Sequence, residues 1–245
     1  MCFKEVHIVP KMGIDKVGLH VICKSMKYVQ SKDSVCTLGR QGLHMSSGEI
    51  QSICQQYGMN DIANCAGYSE CLFQRLGFTH ADSMDASTYE NATIIHDLNK
   101  PMKQSQKFSY ILDGGTIEHV FHIPQCLQTI IDSLEIGGLF VSITCNNNFS
   151  GHGMYQFSPE LFLSAFSKTY GMQILEMYIA RVDSPPEQWI NVNQRNKART
   201  EDRFYTNEFV YIVTIAKKIA DTGVSLLEEC PQQFSYETGD WKSEP

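Results

Sequence analysis

The sequence predicts an α/β domain whose mostly parallel sheet finishes in an antiparallel pair. Between residues 34 and 145, short apolar runs alternate with segments of helical period, the pattern of βα units on a parallel sheet. After residue 145 two more strand-like runs follow without a crossover helix between them, which makes them antiparallel neighbours. At 245 residues and 42% apolar, the chain suits one domain that buries roughly 70% or more of its unfolded surface.

The candidate strands of the first part are SVCTLG at 34–39, GFTHADSM at 77–84, ATIIHDL at 92–98, FSYILDG at 108–114 and GLFVSITC at 138–145. SGEIQSICQQYG and YSECLFQRLG have helical spacing and stop at Gly58 and Gly77, which suit left-handed caps. IPQCLQTIIDSLEIGG carries Pro124 in a first helical turn, and SPELFLSAFSKTYG is a helix capped by Ser158, with Pro159 at its first position and Gly171 at its end. MQILEMYIARV and NEFVYIVTIAKK complete the sheet, separated by a long polar insert at 183–206 with Pro185, Pro186 and a charged run from Arg195 through Lys197 and Arg199 to Arg203. Such a run is more often solvated than bound to substrate. The core spans about 33–217 of a single 1–245 domain, with 1–32 and 218–245 expected at the periphery.

Charge and cysteine use narrow the function. A net charge of −7 argues against a broad nucleic-acid surface, since phosphates reward clustered Lys and Arg. The nine cysteines stand singly, without a CxxC pair, and read as reduced thiols; Cys36 and Cys145 fall inside apolar runs where Cys packs as a small hydrophobe. No apolar run is long enough for a membrane span and the N-terminus lacks a signal-peptide core, so a cytoplasmic protein without a membrane partner is expected. Oligomeric state is not legible.

Ligands of open α/β sheets sit at the carboxyl ends of strands. Those ends here are LGRQG at 38–42, DSMD at 82–85, HDLN at 96–99, DGGTIEH at 113–119 and CNNNFSGHG at 145–153. Glycines admit a ligand close to backbone, and carboxylates accept from ribose hydroxyls or an adenine amine, so the set describes a nucleoside-type pocket.

DGGTIEHVF at 113–121, TIIHDLN at 93–99 and GHGMYQFSPELF at 151–162 together resemble the class I S-adenosylmethionine-dependent methyltransferases, in particular a branch associated with glycan or capsule biosynthesis. The resemblance covers roughly residues 33–217. It implies a Rossmann-like class I methyltransferase fold with a seven-stranded sheet, an antiparallel last strand and helices on both faces. It also implies S-adenosylmethionine as cofactor and a small-molecule or glycan acceptor. The first loop, LGRQGLHMS, keeps Gly39 and Gly42 but lacks a G-x-G-x-G, so Arg40 or Gln41 is expected at the methionine end, Arg40 pairing with its carboxylate. Asp85 is expected at the ribose hydroxyls, with Asp82 as substitute, Asp97 and Leu98 at adenine, and Asp113 and Gly114 beneath the sulfonium.

Methyl transfer to an alcohol needs alignment and a base near the methyl. His119 and His152 are the candidates, and either His119 or His152 could fill the role, with Glu118 and Tyr155 beside them; the alternative for His119 is packing at the helix start. The remaining histidines, His7, His20, His44, His80, His96 and His122, read as surface, cap or core residues. Glu118, His119 and His152 could also hold a divalent cation, but Gly115 stands where the E-x-x-E-H metal motif has its first Glu, which makes the metal the less favoured reading. Asn146, Asn147, Asn148, Tyr155 and Phe157 suit the acceptor side, and Phe157 equally suits a staple for the next helix. Two alternatives remain: a phosphate-bearing or other small metabolite as acceptor, and a non-catalytic subunit that keeps the cofactor fold.

Overall fold

A computed structural model describes residues 13–62, 64–102, 106–192 and 206–233, together with Tyr236. The basic run from Arg195 to Arg203 and His7 lie outside the described residues. In chain order the helices are α1 (Lys16–Ser25), α2 (Ser47–Gln56), α3 (Glu70–Arg75), α4 (Ile123–Ser133) and α5 (Pro159–Ala165). The strands are β1 (Ser34–Leu38), β2 (His80–Asp85), β3 (Ile94–Ile95), β4 (Phe108–Asp113), β5 (Leu134–Asn147), β6 (Met172–Arg181), β7 (Ile190–Asn191) and β8 (Val210–Lys218).

They form one sheet in the order β3-β2-β1-β4-β5-β8-β6-β7. The pairs from β3 to β5 are parallel, and β8 runs antiparallel to both β5 and β6. The sheet has eight strands rather than seven, because two residues of the polar insert, Ile190 and Asn191, pair antiparallel with the edge of β6. The strand order reverses between β1 and β4, so the loops after these strands diverge and leave a crevice at their carboxyl ends.

Both faces of the sheet are covered, which is why every residue of β1 and β4 is buried rather than every second one. Val35, Tyr110 and Leu112 pack on the α1–α3 side with Leu19, Ile50 and Phe73, while Cys36, Ile111 and Phe140 pack on the α4–α5 side with Leu127 and Phe162. Cys36 and Cys145 are fully buried, free and packed as expected.

Several boundaries follow the sequence signals. Gly58 and Gly77 take φ of +75° and +94° after α2 and α3, and Ser158 caps α5 by accepting from the Glu160 amide. Ser46 and Glu49 form a reciprocal capping box at the start of α2. β5 starts at Leu134, four residues before the expected strand, because the chain leaves α4 directly into the sheet.

The N-terminal segment is not wholly peripheral. Asp15 caps α1 by accepting from the Gly18 amide at 2.8 Å, and Val17, Leu19, Val21 and Ile22 are completely buried. Eight of the ten α1 residues are buried, so no polar stripe marks the helix in the sequence. Truncating Leu19 would cost about 2–5 kcal/mol. At the end of β8, Lys218 is buried and donates to the Ile131 and Leu134 carbonyls at the end of α4, and beyond the strand Gln128 accepts from the Leu226 amide, so the start of the C-terminal tail is docked as well.

Candidate active site

The crevice at the ends of β1, β2 and β4 contains a cavity of about 620 Å³, within the ordinary range for small-molecule sites. Gly39, Arg40 and Gln41 from the first loop, Asp85 from β2, Asp97 and Leu98 after β3 and Gly114 after β4 all line it. Seven of the eight residues expected at a cofactor therefore share one cavity.

The eighth, Asp113, does not line it. Its carboxylate is fully buried and accepts from the Thr116 and Ile117 amides and from Ser142 Oγ, so it shapes the turn after β4 instead of facing a ligand. Burial pushes its pKa up, against those hydrogen bonds.

The first loop is held by short-range bonds in place of further glycines. Gly39 takes φ +66°, and a Cβ there would come within 2.8 Å of Thr116 Oγ1. That hydroxyl donates to the Leu38 carbonyl at 2.6 Å and accepts from Gln41 Nε2 at 3.1 Å, joining the loops after β1 and β4. Gln41 thus works as a buried strut. Arg40 lies along the wall with Nε on Glu70 at 2.7 Å, Nη1 on the Glu90 carbonyl at 2.8 Å and its plane 4.0 Å from the Tyr68 ring centroid. Its charge is already offset by Glu70, so a ligand carboxylate at Arg40 would share the guanidinium.

Asp85 Oδ1 accepts from the amide and hydroxyl of Ser87, and Asp97 accepts from Asn99 and Lys100. The Asn99 and Lys100 bonds hold Asp97 down at about 2, so it is ionised. Asp82 accepts from Thr93 Oγ1 and lies outside the cavity lining, which leaves Asp85 as the better placed of the two.

Sequence reasoning missed other lining residues, among them Tyr68, Glu90, Asn99 and Thr116. His44 and His96, expected to be surface, cap or core residues, also line the cavity. His96 Nε2 is buried without a hydrogen-bond partner among the described residues. An isolated His after a short edge strand carries no periodic signal that could have marked it.

Of the proposed catalytic set, His119 lines the cavity and is exposed there, while Glu118 behind it is fully buried. Partial burial lowers the His119 pKa, and burial together with His119 lowers that of His152. The two rings meet edge to face with centroids 5.1 Å apart. Glu118 accepts from Thr144 Oγ1 at 2.8 Å and from Cys145 Sγ at 3.4 Å, and burial, then the Asp113 charge, pushes its pKa up to about 7.

In the loops expected to face the acceptor, the Tyr155 hydroxyl donates to the Phe121 carbonyl, and Phe121 and Met154 are exposed. Asn146 donates to the Phe157 carbonyl and Asn148 to the Thr206 and Glu208 carbonyls, so their amides hold loops together. Phe157 is buried and packs edge to face on Phe162 of α5 at 5.8 Å, which is the staple rather than the acceptor platform.

The parallel half, the reversal between β1 and β4, and the antiparallel β8 inserted between β5 and β6 define an α/β Rossmann-like fold of class I methyltransferase topology. No family model and no curated protein matches the chain. Among solved structures it is similar to TehB from Haemophilus influenzae, with 13% identity, a TM-score of 0.45, and 81% of this chain and 61% of that one covered. The chain thus spans less than two thirds of TehB. It is also similar to 1,6-didemethyltoxoflavin-N1-methyltransferase from Burkholderia thailandensis (13% identity, TM-score 0.43, coverage 84% and 80%). A methyltransferase of Bacillus halodurans C-125, described as putative, aligns at 10% identity and TM-score 0.49, covering 82% of this chain and 99% of that one. No helix among the described residues is long and apolar enough to cross a membrane.

Proposed function

We propose that the chain is an S-adenosylmethionine-dependent O-methyltransferase that acts on a hydroxyl of a sugar or glycan precursor, with His119 as general base. The observation that carries this reading is the position of His119. It stands at the rim of the same cavity that gathers Gly39, Asp85, Asp97, Leu98 and Gly114.

The residues present fit the cofactor. The cavity volume suits a nucleoside-sized ligand, Asp85 offers an acceptor for ribose hydroxyls, and His96 Nε2 has an unused hydrogen-bonding position. The glycine at 39 lets the first loop pack directly on Thr116 and Gln41 beside the cavity. S-adenosylmethionine would supply an electrophilic methyl group on a sulfonium.

The chain's own part is to bind, orient and deprotonate. A ring nitrogen of His119 would take the acceptor's hydroxyl proton while the methyl group leaves the sulfonium sulfur for the acceptor oxygen, and the lowered His119 pKa favours the neutral imidazole that this needs. Phe121 and Tyr155 bring flat apolar surface to the acceptor side, suited to a sugar ring.

A second reading keeps the methyltransferase chemistry and changes the acceptor to another small metabolite with an apolar face. The exposure of Phe121, two residues after His119, and of Met154, whose amide donates to the Glu118 carbonyl, favours it.

Calorimetry with S-adenosylhomocysteine tests the cofactor assignment: saturable one-to-one binding is expected, and no heat at high ligand would overturn it. Turnover on mono- and oligosaccharide acceptors, set against a panel of small heteroaromatic alcohols, then separates the two acceptors.

A further inference from the structure

Glu118, Cys145 and His152 converge behind His119, their ligand atoms all within 4.8 Å of one another. Three separate segments supply them: the turn after β4, the end of β5 and the 148–153 loop. Cys145 Sγ is 3.4 Å and His152 Nε2 3.9 Å from the same oxygen, Glu118 Oε1. His152 Nε2 is buried and has no hydrogen-bond partner among the described residues. Glu118 is fully buried, and among the described residues its ion-pair partner is this imidazole alone.

The backbone is built for this approach. Gly153 presses on Glu118 so closely that a Cβ would come within 3.0 Å of both its Cγ and its carbonyl oxygen. The Met154 and Tyr155 amides donate to that same carbonyl, which fixes the His152 loop against the Glu118 turn. A buried carboxylate, a thiol and an unpartnered imidazole nitrogen aimed at one point form an environment that lacks a positive charge.

We propose that Glu118, Cys145 and His152 form a binding site for a divalent cation of the zinc type. A thiolate, an imidazole and a carboxylate are the ligand types zinc takes, whereas magnesium and calcium select oxygen donors. Bonds of about 2.0–2.3 Å in a tetrahedron place ligand atoms roughly 3.3–3.8 Å apart, so the 3.4 and 3.9 Å separations from Glu118 Oε1 need only small adjustments, while Cys145 and His152, within 4.8 Å of each other, close by up to about 1 Å. Binding forms a metal–sulfur bond and releases the Cys145 thiol proton to solvent. Three protein ligands leave a fourth position open. The set differs from Glu118, His119 and His152: Cys145 replaces His119, which remains at the cavity rim. The site stands without the methyltransferase reading, because it rests on side chains outside the cofactor cavity.

The test is spectroscopic and needs neither cofactor nor acceptor. Chelator-treated full-length protein is titrated with Co²⁺ alone and then with Zn²⁺. One equivalent of Co²⁺ should produce a thiolate-to-cobalt charge-transfer band in the near ultraviolet, and Zn²⁺ should abolish it. Cys145→Ser should lose the band, and His152→Ala, which alters a half-buried loop residue outside the sheet and guards against misfolding at position 145, should weaken Co²⁺ binding at least tenfold. Absence of the band in the wild-type protein overturns the proposal. So does a band that survives Cys145→Ser but disappears in Cys65→Ser, because Cys65 and Cys71 form another close thiol pair, with sulfurs 2.6 Å apart.

Discussion

His119 and His152 touch edge to face, at 5.1 Å between ring centroids, yet look into different environments. His119 borders the cavity; His152 turns Nε2 toward Glu118. Removing the first should therefore act on chemistry. His119→Ala is expected to lower kcat about 10²–10⁴-fold on any hydroxyl acceptor that supports turnover, with affinity for S-adenosylhomocysteine changed less than about threefold. Steady-state kinetics beside calorimetry check both halves, and an undiminished kcat would remove His119 from proton transfer.

Asp85 and Asp82 sit three residues apart on β2 but only Asp85 lines the cavity. A carboxylate bonded to ligand hydroxyls contributes about 1.5–3 kcal/mol, so Asp85→Ala should weaken S-adenosylhomocysteine about 10- to 100-fold. Asp82→Ala loses a bond from Thr93 and should change affinity little. Equal losses in calorimetry for the two variants would sink the assignment of the ribose to Asp85.

These residues show what sequence can carry. Strand ends were legible because glycines and acids cluster where apolar runs stop, and that placed Gly39, Asp85, Asp97 and Gly114 in one cavity. Asp113 lies in the same kind of cluster, but its side chain turns inward to amides of its own loop, an orientation that spacing does not encode. Cys145 read as a packing residue because it ends an apolar strand. Its proximity to His152 depends on how the 148–153 loop folds back over the Glu118 turn, a tertiary relation. α1 escaped for the opposite reason: a helix buried on nearly every side has no amphipathic stripe.

Glu176 on β6 ties the chain at the end of α1 to the sheet. Its carboxylate meets Lys27 at 2.6 Å and the Tyr28 hydroxyl at 2.7 Å, with Tyr178 also donating. Burial pushes the carboxyl up, but the bonds from Lys27, Tyr178 and Tyr28 outweigh it and hold its pKa at about 2. A depressed carboxylate contributes stability that is complete above the unfolded pKa of about 4.3 and is lost as pH falls toward about 2. Glu176→Gln should therefore destabilise the protein by about 1–2 kcal/mol at pH 7, and the gap to wild type should narrow as pH drops below about 4. Urea melts from pH 7 to pH 3 measure it; a gap independent of pH would show that the charge contributes nothing.

Gly39 and Thr116 meet where the loops after β1 and β4 join, and their coupling is measurable. At φ +66° an alanine costs about 1 kcal/mol from backbone strain alone, and its Cβ would press within 2.8 Å of Thr116 Oγ1. That hydroxyl also holds the Leu38 carbonyl and Gln41, so moving it disturbs the cavity floor. Gly39→Ala is expected to cost about 2–3 kcal/mol of stability and to weaken S-adenosylhomocysteine at least tenfold. Thr116→Ala removes two hydrogen bonds and should cost about 1–2 kcal/mol. In the double variant the clash is gone while the strain at residue 39 stays, so the combined loss should fall short of the sum by about 1 kcal/mol. Additive losses in chemical denaturation would mean that the two loops do not bear on one another at this point.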